Sequence, residues 1–215
     1  MYELVEERVI KPYRSKCSSI MTQLRDILNE DYDIITQFSL VGSGNDSRNL
    51  VTKNGQGPFD LDYNLLIVKM PDEYWKNLKK LKDLVRNTLN KIAGEALFSD
   101  GKDSRSVITS ILHFTNSPEV EFSFDIAICV RNRVGNWCRL IHQKGYFEQF
   151  TWNEVPSSKD IRNKAKALKE EGYWNEVRKA YVNRKNMYLR RGDKNHPSFI
   201  VYVETINEIF YKYFR

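Results

Sequence analysis

Apolar residues in the first thirty positions recur at helical spacing. Ile20, Leu24, Ile27 and Leu28 share one side, and Pro12 is expected to break an earlier segment. Residues 35–42, ITQFSLVG, are a short apolar run ending on glycine and predict a strand. Residues 60–69, DLDYNLLIVK, predict a second. Pro71, Asp72 and Glu73 then open a long amphipathic helix. Its apolar side carries Tyr74, Leu78, Leu81, Leu84, Val85 and Leu89, and Gly94 lies near its end. SVITSILHFT at 106–115 and EVEFSFDIAICV at 119–130 flank the turn signal NSP and predict an antiparallel hairpin. Helices follow. Ser157 and Asp160 have capping-box spacing and open a basic segment, 158–171, that runs to Gly172. Trp174, Val177, Tyr181, Tyr188 and Leu189 mark a second helix, and 198–214 a third, aromatic one. This order predicts an α+β fold: a mixed β-sheet core flanked by helices, with an α-helical C-terminal region. The expected division is a core over 1–150, including the N-terminal helix, and helices over 151–215.

Composition narrows the class. The chain has 215 residues, 41% hydrophobic and 29% charged, with 12 Tyr and 11 Phe, which excludes a disordered chain. No apolar run approaches the ~20 residues needed to span a bilayer, and the charged N-terminus lacks a signal-peptide core, so a cytoplasmic protein without a membrane partner is expected. Cys17, Cys129 and Cys138 form no CxxC pair and predict neither a disulfide framework nor a cysteine zinc site. His113, His142 and His196 are scattered without metal spacing, although His142 is a candidate cleft residue. The net charge of +6 is compatible with a polyanionic partner and equally with a solvated basic surface.

One stretch has chemistry written into it. Strand alternation puts Asp60 and Asp62 on one face, with Leu61 and Tyr63 on the other. Two carboxylates this close repel, and each is costly to bury without a cation. A divalent ion removes both penalties. Mg²⁺ takes carboxylate oxygens together with phosphates and waters, so Asp-x-Asp at a strand edge suits half of a Mg-triphosphate site. Asp125 is a third acid, on a strand whose opposite face is Phe122, Phe124, Ile126 and Ile128. It would complete a two-metal arrangement. Upstream, Gly42 and Ser43 offer backbone N–H groups and a hydroxyl to phosphate oxygens, and Ser47 can assist in the same turn. Taken singly, the acid pair also fits a plain strand edge, the Gly-Ser pair a plain turn, and Asp125 an arginine partner. The three together, in this order, favour the chemical reading.

Gly42-Ser43, then Asp60-Leu61-Asp62 on a strand, then Asp125 on a later strand resembles the DNA polymerase β-like nucleotidyltransferase superfamily. The phrase FSFDIAI is similar to the third-acid strand of its oligoadenylate synthase and cyclic-dinucleotide synthase branch. The resemblance covers roughly 35–130. It implies that Gly42 and Ser43 bind a triphosphate, that Asp60 and Asp62 hold both Mg²⁺ (or Mn²⁺) ions, and that Asp125 binds the catalytic one and helps deprotonate the acceptor hydroxyl. It implies an NTP substrate, release of pyrophosphate, and an acceptor that is RNA, a nucleotide, a protein or a small molecule. A lysine after the third acid contacts the triphosphate in related enzymes, and Lys164 and Lys166 are the candidates; both also fit a solvated helix face. The spacer 44–59 is longer than the family's, with NLVTKNGQGP expected to form a mobile flap. Arg48 and Lys53 within it are candidate phosphate contacts or plain surface charges. Trp174 and Tyr181 suit base stacking or, more simply, core packing. A non-catalytic nucleotide- or RNA-binding module on the same fold is the alternative.

Overall fold

The computed structural model describes residues 1–45, 48–114, 116–193 and 195–214. In chain order the elements are β1 (Tyr2–Leu4), α1 (Glu7–Tyr32), β2 (Ile35–Val41), a 3-10 turn (Gly42–Gly44), β3 (Thr52–Asn54) and β4 (Phe59–Lys69). Then come α2 (Asp72–Lys76), α3 (Leu78–Glu95), β5 (Lys102–Asp103), β6 (Ile108–His113), β7 (Val120–Arg131), β8 (Trp137–Gln143) and β9 (Gln149–Glu154). Three helices follow: α4 (Lys159–Glu170), α5 (Trp174–Arg190) and α6 (Ser198–Tyr213). The expected α+β class, with a mixed sheet and C-terminal helices, is what forms.

The chain divides into two compact units. The first to consider comprises Glu6–Val51 and Gly57–Val155. Its seven-stranded sheet runs β2-β4-β7-β6-β5, with β8 joining β7 and β9 joining β8. The expected hairpin of β6 and β7 is present and antiparallel. β4 and β7 are the parallel pair at the centre. β7 is long enough for its first half to pair with β6 and its last residues with β8. Alternation decides what is buried. Leu61, Tyr63 and Leu65 of β4 and Phe122, Phe124, Ile126 and Ile128 of β7 are at most 2% exposed. α1 covers the same side, its Tyr13 ring packing on Phe59 and Phe122.

Three local expectations fail. The single helix expected from Pro71 is broken at Asn77, whose side chain accepts from the Lys80 N–H and so starts α3 afresh. α1 runs straight through Pro12. A proline inside a helix costs about 3 kcal/mol, but Ile10, Cys17, Ile20, Met21, Leu24 and Leu28 are buried along one stripe on either side of it, and that burial offsets the loss. At α4 the capping box does not form. The N-cap is Ser158, with no side-chain cap, and Asp160 turns instead to Lys164 at 2.9 Å.

The second unit comprises Met1–Val5, Thr52–Gln56 and Pro156–Arg215. β1 and β3 pair antiparallel, Leu4 opposite Thr52 and Tyr2 opposite Asn54. Asn186 of α5, itself buried, accepts from the Tyr2 N–H at 2.6 Å and donates to its carbonyl at 2.9 Å. Lys185 donates to the Thr52 hydroxyl at 2.7 Å. The middle of the spacer, expected as a free flap, is therefore a pinned strand. Tyr181, Val177, Leu168, Val201 and Ile206 form this unit's core. Tyr181 is thereby a packing residue.

Among the described residues no helix is long and apolar enough to cross a membrane. The three cysteines are free and buried.

Candidate functional site

The side of the central sheet opposite the core carries the acids. On β4, Asp60, Asp62 and Asn64 alternate with the buried Leu61, Tyr63 and Leu65. The parallel pairing sets Asp60 opposite Ser123 and Asp62 directly opposite Asp125. On the other flank of β7, Thr109 is the antiparallel partner of Asp125 and its hydroxyl donates to the Asp125 carboxylate at 2.5 Å. Asp125 thus has a like charge on one side and a hydrogen-bond donor on the other. Facing carboxylates across adjacent strands are unfavourable. Burial, followed by the charges of Asp60 and Asp125, pushes the Asp62 carboxyl up to about 7. Burial also raises Asp125; the Thr109 hydrogen bond opposes that rise and the charge of Asp60 adds to it.

The glycine-serine turn follows directly from register. β2 and β4 are antiparallel with Val41 opposite Asp62, so the residue after Val41 meets the Asp62 side chain. Gly42 has φ +64°, a left-handed conformation, and a Cβ there would fall inside van der Waals distance of Asp62 Oδ2. Glycine is required on both counts. At Gly44 the constraint is space alone: a Cβ there would run into the Leu61 side chain. The structure therefore brings Gly42, Ser43, Asp60, Asp62 and Asp125 into one corner of one sheet. Ser47 lies outside the described residues.

Three residues on this face escaped the sequence reading. Thr109 is one. Arg139 of β8 is opposite Cys129, which shares Asp125's face of β7 by alternation, and its charge opposes the rise of both Asp62 and Asp125. Asn64 is the third; its Oδ1 is buried with no hydrogen-bond partner among the described residues. Asn64 was legible as the next even position after Asp60 and Asp62. Thr109 and Arg139 needed the cross-strand register, which no sequence pattern states.

No known family profile matches this sequence, and no curated protein does. Solved structures do. The Vibrio cholerae di-nucleotide cyclase DncV, as an aspartate double mutant, matches with a TM-score of 0.62 at 9% identity over 95% of this chain and 68% of its own. Escherichia coli MS115-1 CdnC with ATP matches at 0.56 and 14% over 99% and 67%. Vibrio cholerae DncV in its GTP-bound form matches at 0.53 and 14% over 88% and 51%. The chain has the fold of these proteins. It spans between about half and two thirds of the length of these cyclic-dinucleotide synthases.

The other candidate residues sort as follows. Lys164, in the helical unit, donates to Asn207 at 2.9 Å and to the Tyr211 hydroxyl at 3.1 Å, and pairs with Asp160. Lys166 is 75% exposed and pairs with Glu170 at 3.6 Å. Lys53 pairs with Glu3 at 3.2 Å, and Arg48 donates to the Gly42 carbonyl at 3.2 Å. His142 does not line the acid face: it alternates with Arg139 along β8, is 4% exposed and stacks on Phe150. Its ring nitrogens each lie 2.6 Å from a carboxylate, Asp103 and Glu148.

As the side chains stand, no group of three or more His, Cys, Asp or Glu among the described residues is arranged to hold a metal ion. The donors nevertheless suit a hard cation. They are carboxylate oxygens, and Asp62, raised first by burial and then by the charges of Asp60 and Asp125, is a group whose ionised form a cation would favour. Mg²⁺ is held by one or two carboxylates with waters and substrate phosphates supplying the rest.

Proposed function

We propose that this protein is an NTP-dependent nucleotidyltransferase, moving a nucleoside monophosphate onto an acceptor hydroxyl and releasing pyrophosphate. The observation that carries this is the corner where Asp62 faces Asp125 and meets Gly42. Asp60 and Asp62 would hold Mg²⁺ together with the triphosphate. Asp125, which accepts a hydrogen bond from Thr109, would take the proton of the incoming hydroxyl. The Gly42-Ser43 turn would present amides and a hydroxyl to the phosphate chain. When bound, the metal supplies charge neutralisation at the transferring phosphoryl group and a lowered pKa at the attacking oxygen. The remaining contribution of the chain is positioning of the reacting groups.

A second nucleotide is the acceptor we favour. DncV is described as a di-nucleotide cyclase and was solved with GTP bound, and CdnC was solved with ATP. An RNA end is the second acceptor, in keeping with the net charge of +6. Lys164 and Lys166 stay candidates for a triphosphate contact; Lys164 is held by Asn207, Tyr211 and Asp160, and Lys166 is paired with Glu170.

The test is incubation of the purified chain with each α-labelled NTP and Mg²⁺, with and without a second NTP or an RNA oligonucleotide. Label transfer that disappears with Asp60→Asn, Asp62→Asn and Asp125→Asn supports the proposal. NTP binding with no pyrophosphate release under any pairing would replace it with a non-catalytic nucleotide-binding module.

A further inference from the structure

Arg14 and Arg48 both point donors at the glycine-serine turn, and both hold its carbonyls. Arg48 Nη1 donates to the Gly42 carbonyl at 3.2 Å and Arg14 Nη2 to the Gly44 carbonyl at 3.3 Å. Between them the Ser43 carbonyl accepts from the Leu50 N–H at 3.1 Å, and Leu50 is buried. The Asn45 side chain adds a tie to the Leu40 carbonyl at 3.1 Å. Three consecutive carbonyls are thus pinned by three donors that come from outside the turn.

In a trans peptide the carbonyl and the following amide hydrogen point in opposite directions, and the chain has no cis bond among its described residues. Holding the Gly42 carbonyl therefore aims the Ser43 amide away from Arg48. Holding those of Ser43 and Gly44 aims the Gly44 and Asn45 amides away from Leu50 and Arg14. Left alone, a turn rich in glycine would lose these orientations readily, because its backbone has the most freedom. Arg14 is itself fixed. It is 17% exposed and meets Glu7, two turns back on α1, at 2.7 Å.

We infer that Arg14 and Arg48 are positioning residues that orient the amides of the 42–45 turn toward a triphosphate, with Glu7 orienting Arg14. This rests on the nucleotidyltransferase reading. It also replaces the expectation that Arg48 touches phosphate itself. The role assigned to Arg14 makes the N-terminal helix part of the site without a side chain of that helix touching substrate.

The experiment compares Arg14→Ala, Arg14→Lys, Arg48→Ala and Glu7→Ala with the unaltered chain, reading NTP affinity with Mg²⁺, KM and kcat. Losing one charge-assisted hydrogen bond corresponds to about a tenfold change. KM for the NTP should rise by about that factor in the two alanine variants while kcat stays within about threefold, which is the signature of lost binding. Arg14→Lys should recover part of the loss. Glu7→Ala should weaken NTP binding if Arg14 acts through the turn, and strengthen it if Arg14 is a direct phosphate ligand. Should Arg14→Ala reduce the yield of folded protein, the half-buried Arg48 supports the same test alone. Unchanged KM and affinity in the arginine variants, tighter binding in Glu7→Ala, or a collapse of kcat at unchanged KM overturns the positioning role. Failure of the unaltered chain to bind any triphosphate overturns the functional reading first and this inference with it.

Discussion

Asp62 lies directly across from Asp125 in the parallel pairing of β4 with β7. Two carboxylates are held together there by a sheet whose other face is the hydrophobic core, so neither can move away without disturbing packing.

That opposition has a pH signature. Asp62 is pushed up to about 7 in the folded chain by burial and by Asp60 and Asp125, against ~3.9 for an unfolded aspartate. Between those values the folded state keeps a proton that the unfolded state has lost, so this group makes the metal-free protein less stable as pH rises through the window. Above about 7 the penalty is constant. Asp62→Asn should flatten that slope and raise the melting temperature at pH 8 without metal, while lowering nucleotide transfer by on the order of 10²–10³. Melting curves at pH 5 and 8, with and without Mg²⁺, check the first part. A variant with undiminished turnover would sink the assigned role.

The Gly42 position should tolerate no side chain. Gly42→Ala places a Cβ against the Asp62 carboxylate and forces alanine into a left-handed φ. The backbone term alone is about 1–2 kcal/mol. The expected outcome is lowered stability in urea and loss of triphosphate binding together. Gly94→Ala, at a helical position where a Cβ meets nothing within 4 Å, is the control and should be neutral or slightly stabilising.

Thr109→Val keeps the strand and removes the hydroxyl that holds Asp125. Partners that orient a ligating carboxylate are worth about 10- to 100-fold. We expect kcat to fall within that range with KM for the NTP nearly unchanged, and Thr109→Ser to restore most of it. Equal kcat in Thr109→Val and the unaltered chain would remove Thr109 from the site.

Away from the acid face, Lys82 is 3% exposed and is held by Asp103 at 2.5 Å and by the Ser104 carbonyl at 2.8 Å. Asp103→Ala strands that ammonium and should cost about 3–5 kcal/mol in urea denaturation. Lys82→Met with Asp103→Leu should cost far less. Burial works to raise Asp103, but Lys82 and then His142 hold its carboxyl below the usual carboxylate range. Its contribution to stability is therefore present above the unfolded aspartate value and is lost as pH falls through the lower folded one. Melting temperature followed from pH 5 downward checks the sign.

Much of this was legible in the sequence because it depends on local rules. Alternation in DLDYNLLIV and EVEFSFDIAIC assigned β4 and β7 and their buried faces, and the order Gly-Ser, Asp-x-Asp, Asp pointed to one chemistry. The strands β8 and β9 were not read, since WCRLIHQ and QFTWNE carry polar residues at positions that only a neighbouring strand explains. The same is true of the spacer. Nothing in VTKNGQG announces a strand, because its partner is Tyr2–Leu4, fifty residues earlier.

By itself, then, the sequence determined which residues share a face, where the turn needs glycine, and which acids can act together. Those follow from strand period and from the sterics of one residue against the next. The tertiary structure decided what is opposite what: Asp62 facing Asp125, Thr109 holding it, Arg139 on the acid face, and Arg14 reaching the Gly44 carbonyl from a helix thirty residues away. These depend on register and packing between distant segments, set by burial of the whole core and by no local pattern.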